Sequence, residues 1–300
     1  MQAYGTDAQE AVVNRSYLFV PADSERKMAK AIDAGADAVI LDLEDSVTAD
    51  ARPAARDTAR EFLAGKQNLW VRINPIDTED AIADLEAVMP SAPAGIVLPK
   101  PRSAADAVLL AARLDELEAA HDLVAGQTGI ISICTEQPAA LFSLHGYVAA
   151  TPRLKGLSWG AEDLSAAVGA TSNRAHDGSW LPPYELARSL CLFAAAAAEV
   201  TAIDTVYTDF RDNEGLASYA GNARRDGFSG MLAIHPGQVE IINQAFAPTE
   251  AELEWATRVV DTFDDNPGAG TISLDGRMID RPHLVQAERI LVLARRLADK

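Results

Sequence analysis

Eight short runs of strand character lie between Ser16 and Pro236: SYLFVP (16–21), DAVILDLE (37–44), LWVRINP (69–75), GIVLPK (95–100), GIISICTE (129–136), LKGLSWG (154–160), IDTVYTD (203–209) and GMLAIHP (230–236). Most are nearly continuous apolar segments, the pattern of parallel strands covered by helices rather than of strands with one wet face. Between them stand stretches with helical spacing, among them SERKMAKAIDAGA, RPAARDTAREFLAG, SAADAVLLAARLDELEAAH, LPPYELARSLCLFAAAAAEV and GLASYAGNARRDGF. Several end in glycine, which takes up the left-handed conformation that stops a helix. This alternation predicts an α/β fold, a closed TIM (β/α)8 barrel rather than an open doubly wound sheet. No GxGxxG or GxxxxGK[ST] loop follows the first strand, which lowers the open-sheet alternatives.

After about Gln238 the pattern changes. TEAELEWATRVVDTFDD is followed by NPGAGTISLDGRMIDRP and then by HLVQAERILVLARRLADK, which reads as a C-terminal helical extension with an irregular connector. The expected organisation is a flexible N-terminus over 1–14, the barrel over 15–246 and the extension over 247–300.

Composition narrows the possible partners. The 300 residues are 48% hydrophobic and 23% charged, as in ordinary globular chains, and the formal net charge is −18. Such a balance argues against nucleic acid or an anionic membrane as partner, because both need a basic face. Any anionic ligand must be met by local cations. Cys134 and Cys191 sit in apolar surroundings without a CxxC or Cys/His cluster, and read as core thiols. The first residues lack the basic and apolar regions of a secretory signal, and the densest apolar run, SLCLFAAAAAEV, is too short to span a bilayer, so a cytoplasmic location is expected.

The βα loops of a (β/α)8 barrel share one mouth at the C-terminal ends of the strands. Chargeable and amide groups fall there: Asp42 and Glu44, Arg72 and Asn74, Lys100, Glu136, Glu162 and Asp163, Asp209, and His235. Loops are polar in any case, so some of these are solvated or tied to backbone; the regularity favours a functional mouth. Glu136 and Asp163 would come from the consecutive fifth and sixth strands, whose tips lie about 4.8 Å apart. Two carboxylates so placed cannot both stay charged without a partner. An all-oxygen site with no histidine or cysteine suits Mg²⁺; the competing readings are an acid/base dyad and a salt bridge to Arg72 or Lys100. Arg72 offers a planar fork for a substrate carboxylate, or else pairs with Asp42 or Glu44. Arg15, just before the first strand, is either a loop charge or a cation that meets substrate. His235 is either a general base or a structural donor.

The stretches RSYLFVPADSERKMAKAIDAGADAVILDLEDSV, VRINP, IVLPKP, CTEQPAALF, LSWGAEDLSAAVGA, AIDTVYTDFRDNEGL, GFSGMLAIHPGQVEIINQAF and LDGRMIDRP, in this order, resemble the citrate lyase β-subunit family. That family is part of the wider HpcH/HpaI aldolase group, which includes malyl-CoA and citramalyl-CoA lyases. The resemblance runs from about Arg15 to Leu297. It implies a TIM barrel with Mg²⁺ (Mn²⁺ being an acceptable substitute) bound by Glu136 and Asp163, with Arg72 holding the substrate beside the metal. It also implies that an aspartate of the DGxMID segment, Asp280 with Asp275 as its competitor, crosses a subunit interface to complete a neighbouring site. A homo-oligomer, trimer or hexamer, follows. Gln137 departs from the family, which often has a small residue beside the glutamate ligand.

The activity implied is a Mg²⁺-dependent carbon–carbon lyase acting on a malyl-, citramalyl- or citryl-thioester, with an α-keto acid as the other small molecule. Arg15 and Lys100 are the expected cations for the carrier, coenzyme A or an acyl carrier protein. Two alternatives remain: a malyl-CoA thioesterase with a malate-synthase-like net reaction, and a β subunit that works only within a complex with an acyl carrier protein.

Overall fold

The computed structural model describes residues 14–298, so the N-terminal segment expected to be flexible lies, but for Asn14, outside the described residues. The chain forms two compact units, divided between Ala245 and Phe246. In the first, eight parallel strands close a barrel in sequence order: β1 (Ser16–Pro21), β2 (Ala38–Asp42), β3 (Leu69–Arg72), β4 (Gly95–Leu98), β5 (Gly129–Ile133), β6 (Leu154–Ser158), β7 (Thr201–Asp204) and β8 (Gly230–Ala233). The helices between them are α1 (Glu25–Asp33), α2 (Arg52–Leu63), α3 (Glu79–Val88), α4 (Ala104–Ala120), α5 (Ala161–Ala167), α6 (Pro182–Ala197) and α7 (Asn213–Asp226), and α8 (Val239–Ala245) follows β8. Only a 3-10 segment, Pro138–Tyr147, links β5 to β6. The TIM barrel read from the alternating pattern is the observed fold.

Side chains alternate across a strand, so every second residue enters the barrel. Tyr17, Ala38, Ile40, Trp70, Val97, Ile131, Ile133, Ile203 and Leu232 form one buried cluster drawn from seven strands, the packed interior expected of this fold. Volume is balanced by small neighbours. A Cβ on Gly95 would stand 2.1 Å from the Trp70 ring, so only glycine there admits the indole. The same parity carries Asp42, two residues after Ile40, and Arg72, two after Trp70, into the top of the barrel. They are register partners on adjacent strands.

Strand β7 is shorter than the apolar run predicts. It stops at Asp204, and Asp209, expected at the tip, sits in an exposed loop where its carboxylate accepts the Arg211 N–H at 3.1 Å. With Ile203 facing inward, Asp204 points outward to the helices. There it accepts hydrogen bonds from Trp159 Nε1 (2.6 Å), Arg188 Nε (3.0 Å) and Nη2 (2.8 Å), Thr205 N–H (2.8 Å) and Tyr219 O–H (3.1 Å). Those five donors fix where the strand ends.

The second unit holds α9 (Glu250–Asp264), β9 (Thr271–Leu274), β10 (Arg277–Asp280) and α10 (Arg281–Ala298). Thr249 and Glu252 make a capping box at the start of α9. Ala256, Val259, Phe263, Ile279 and Ala287 form its own buried cluster. The connector is not irregular, as the pattern suggested, but an antiparallel hairpin in which Leu274 faces Arg277. Asp275 (φ +52°) and Gly276 (φ +74°) form its two-residue turn, and two positive φ values are what a tight hairpin of this length requires. Among the described residues no helix is long and apolar enough to cross a membrane.

Candidate active site

The barrel mouth gathers five carboxylates around two cations. Arg72 grips Asp42 side-on, with Nε to Oδ1 at 2.7 Å and Nη2 to Oδ2 at 2.6 Å, and its guanidinium lies 4.7 Å from the Phe19 ring centre. Burial works against the Asp42 charge, but the Arg72 fork outweighs it and holds the carboxyl below its usual range. Burial likewise disfavours the Arg72 charge, and Asp42 keeps it fully protonated. The pairing with Asp42 that competed with a substrate role for Arg72 is therefore present. It uses the Nε–Nη2 edge, and the pairing with Glu44 is present as well, Nη1 lying 3.1 Å from Glu44 Oε2 in an ion pair.

Lys100 ties the rest together. Its φ of +48° is uncommon for a side-chain-bearing residue, and of the kind that marks functional sites. This backbone turns its N–H onto Glu136 Oε2, while its ammonium reaches Glu44 Oε1, Asp45 at 2.8 Å and Asp163 at 3.4 Å. Lys100 is the link that shows Glu136, Glu44 and Asp163 sharing one mouth. Burial opposes its charge, but Asp45 and Glu44 raise its affinity for the proton well above the ordinary lysine value.

Glu136 lies three residues past the end of β5 and is 2% exposed. It receives the Lys100 N–H and no side-chain donor among the described residues. Burial, and then the nearby charge of Asp163, push its carboxyl well above the usual range. Its fit is tight: a Cβ on Gly160 would meet Glu136 Cγ at 2.5 Å. Asp163 stands in the first turn of α5 and is about one third exposed. Glu44 is also pushed up by burial, only partly offset by Arg72 and Lys100, and its buried Oε2 faces Arg72 Nη1 as an ion pair rather than a well-formed hydrogen bond.

This donor set fits a hard divalent cation. It offers oxygens only, an excess of negative charge and one buried carboxylate, Glu136, without a cationic hydrogen-bond donor among the described residues. Among the described residues no three His, Cys, Asp or Glu side chains converge with metal-holding geometry. Glu136 and Asp163 would thus be two ligands of a site completed by water or substrate, the usual share for Mg²⁺.

Other expected residues fall elsewhere. Arg15 precedes β1 and so stands at the N-terminal end of the barrel, opposite the mouth. Its guanidinium is committed to Asp37 (Nε 2.8 Å, Nη2 3.1 Å) and to the Asn243 carbonyl (3.3 Å). Its assignment to substrate is corrected: the strand itself separates it from the mouth. His235 accepts the Gly237 N–H on Nδ1 at 3.1 Å, caps a 3-10 turn and stacks on Phe210, a structural role. Asn74 is held by Asp84 at 2.8 Å. Cys134 and Cys191 are free and buried, their sulfurs 3.7 Å apart. In the second unit, Asp280 closes β10 and its carboxylate is hydrogen-bonded to His283 Nδ1. Asp275, its competitor, occupies the hairpin turn and pairs with Arg258 at 2.5 Å. Asp204 and Arg188, which anchor the ends of β6 and β7, are absent from the residues singled out in the sequence. Their signal was available in the arginine of YELARSL, the one basic residue of a mostly apolar helix.

Comparison with known proteins agrees with this architecture. Residues 15–236 match the family model described as HpcH/HpaI aldolase/citrate lyase, and the chain belongs to that family. It is 38% identical to a citrate lyase subunit beta-like protein of Mycobacterium tuberculosis, over 92% of this chain and 93% of that one. It is 35% identical to a (3S)-malyl-CoA thioesterase of Cereibacter sphaeroides, over 97% and 98%. Among solved structures, the protein CitE from M. tuberculosis in complex with magnesium, acetoacetate and coenzyme A matches with a TM-score of 0.79 at 34% identity, covering 95% of this chain and 99% of that one.

Proposed function

We propose that this chain is a Mg²⁺-dependent carbon–carbon lyase that cleaves a 3-hydroxy-acyl thioester of the malyl, citramalyl or citryl kind, or runs the condensation in reverse. The observation that carries this reading is the buried Glu136, facing the charge of Asp163 with no side-chain donor among the described residues to neutralise it. The magnesium and coenzyme A bound by the related CitE support it.

Glu136 and Asp163 would hold the ion, and Mn²⁺ meets the same demands. When bound, the ion supplies a Lewis acid for the substrate oxygen on which charge changes during the reaction. Arg72, fixed on one edge by Asp42 and ion-paired through Nη1 with Glu44, would meet the substrate carboxylate with its charge already in place, sharing Nη1 between Glu44 and the substrate. Lys100 adds positive charge at the same rim and, through its N–H, keeps Glu136 in position. As the hydroxyl on carbon 3 gives up its proton to water and becomes the keto oxygen, breaking the bond between carbons 2 and 3 leaves its electron pair on the thioester fragment, which must gain a proton. Asp280, steadied by His283, is the group proposed to deliver that proton, from a neighbouring subunit of a homotrimer or hexamer, and to remove it in condensation.

The test is a panel of malyl-, methylmalyl-, citramalyl- and citryl-CoA with purified chain and Mg²⁺, assayed for α-keto acid. Turnover should stop with EDTA and fall by on the order of 10²–10³ or more in Glu136→Ala. Full turnover with excess EDTA contradicts the proposal. Mixing the Glu136→Ala and Asp280→Asn variants should restore part of the activity if Asp280 serves a neighbour, and restore none if it serves its own subunit.

The relationship to a malyl-CoA thioesterase favours a second outcome from the same residues, in which water releases free malate. Accumulation of free malate and CoA, rather than a keto acid and a shorter thioester, identifies it. Activity of the purified chain on CoA thioesters excludes dependence on an acyl carrier protein complex.

A further inference from the structure

Resting on the reading of this chain as a thioester lyase, we propose that Arg174, carried by the segment between α5 and α6, is an anion-receiving residue at the rim that binds a phosphate or distal carboxylate of the substrate. A chain of formal net charge −18 must recruit such anions with individually placed cations. Six other half-buried or buried arginines of the barrel, Arg15, Arg52, Arg56, Arg72, Arg153 and Arg188, each have a carboxylate at 2.8 Å or less. Arg174 is half-buried yet has no carboxylate partner among the described residues.

It is nevertheless held. Its guanidinium carbon lies 3.5 Å from the Trp180 ring centre, and Nη1 donates to the Gly178 carbonyl at 2.7 Å. Trp180 is itself fixed: it packs edge-on against Trp159 at 4.9 Å and donates Nε1 to Tyr219 O at 3.2 Å, and Tyr219 and Trp159 both donate to Asp204. A guanidinium pinned on an indole has surrendered its rotamer freedom before any anion arrives, while most of its N–H donors remain unused.

The segment also lies on the correct side. It starts from α5, whose first turn holds Asp163, and Asn173 donates to Glu162, the neighbour of Asp163, at 2.9 Å. Arg174 stands 5.8 Å from the ring of Tyr207, in the loop that leaves the mouth end of β7. Arg26 and Lys27, in the first turn of α1, are other cations of this rim, but both are exposed. Arg174 differs in being preplaced.

The test compares wild type with Arg174→Ala and Arg174→Lys on two substrates with the same acyl group, the CoA thioester and the N-acetylcysteamine thioester, which lacks phosphates. Losing a charge-assisted contact should raise KM for the CoA thioester about tenfold or more, with kcat within about threefold and the thermal midpoint unchanged. Lysine should recover part of the loss. If the short thioester is spared, the anion is a phosphate of the carrier; if it suffers equally, the anion is a carboxylate of the acyl group. An unchanged KM for both substrates overturns the proposal. Should Arg174→Ala fail to fold, Arg174→Gln carries the same comparison. Should wild type cleave no thioester, it is the lyase reading that fails, and Arg174 is then tested by titrating free CoA and following tryptophan fluorescence. Weaker binding by the variant supports its role; equal binding, or none by either protein, overturns it.

Discussion

The two ends of the barrel solve the same electrostatic problem in opposite ways. At the N-terminal end Arg153, just before β6, is buried between acids: Nη1 and Nη2 reach Glu118 Oε1 and Oε2 at 2.8 and 2.5 Å, and Nη2 also reaches Asp115. Glu118 further accepts the N–H of Gly126 at 2.7 Å and of Thr128 at 2.9 Å. Burial opposes its charge, yet Arg153 and these N–H groups hold its carboxyl down at about 2. At the mouth, Glu136 is as well buried, but one N–H is its sole donor among the described residues and its carboxyl is pushed up instead. One buried acid is saturated with donors and serves the fold. The other is left short of them, and a deficit of this kind is what a site retains for a ligand.

Four substitutions sharpen or break this contrast. Arg153→Met should have the largest effect, about 3–5 kcal/mol of stability, because it strands the buried Glu118 charge. Urea denaturation measures it, and divalent-ion binding by the folded fraction should be unchanged. Gly160→Ala should act at the mouth alone: its methyl displaces Glu136, and divalent-ion affinity should fall about 10–100-fold at nearly constant stability, as measured by calorimetry. Glu136→Gln should raise the thermal midpoint of the metal-free protein, since it removes a charge that burial disfavours, whereas Glu118→Gln should lower it. Equal signs for the two variants would break the comparison.

The smallest effect is read from pH. The Glu118 carboxyl sits below its ordinary 4.5 when folded, so its contribution is complete above that value and disappears as pH falls toward about 2. The difference in denaturation midpoint between wild type and Glu118→Gln should therefore be constant from pH 7 to about 5 and shrink below. A difference that grows on acidification would reverse the assigned sign.

Much of this contrast could be read from the chain, and the failures have physical causes. Glu136, Asp163, Arg72 and Lys100 were placed at the mouth because each follows an apolar run, and in a parallel barrel position after a strand fixes the end on which a residue stands. The same rule assigns Arg15, which precedes its strand, to the other end, so its position in the chain already argues against contact with substrate at the mouth. The Arg72–Asp42 pair depends on the register of β2 against β3, which no single strand encodes. The apolar pattern of IDTVYTD points to Asp209 rather than Asp204 because it runs past the residue whose five donors end the strand. The β9–β10 hairpin did carry a signal, Asp-Gly between two alternating segments, outweighed by the glycines and proline beside it.

Titration of the purified chain with Mg²⁺ by calorimetry, alongside Glu136→Gln and Asp163→Asn, addresses the mouth most directly. One ion per chain should bind to wild type, and each single variant should abolish or severely weaken that binding while retaining the folded barrel by circular dichroism. Undiminished binding in both variants would contradict the assignment of these two carboxylates.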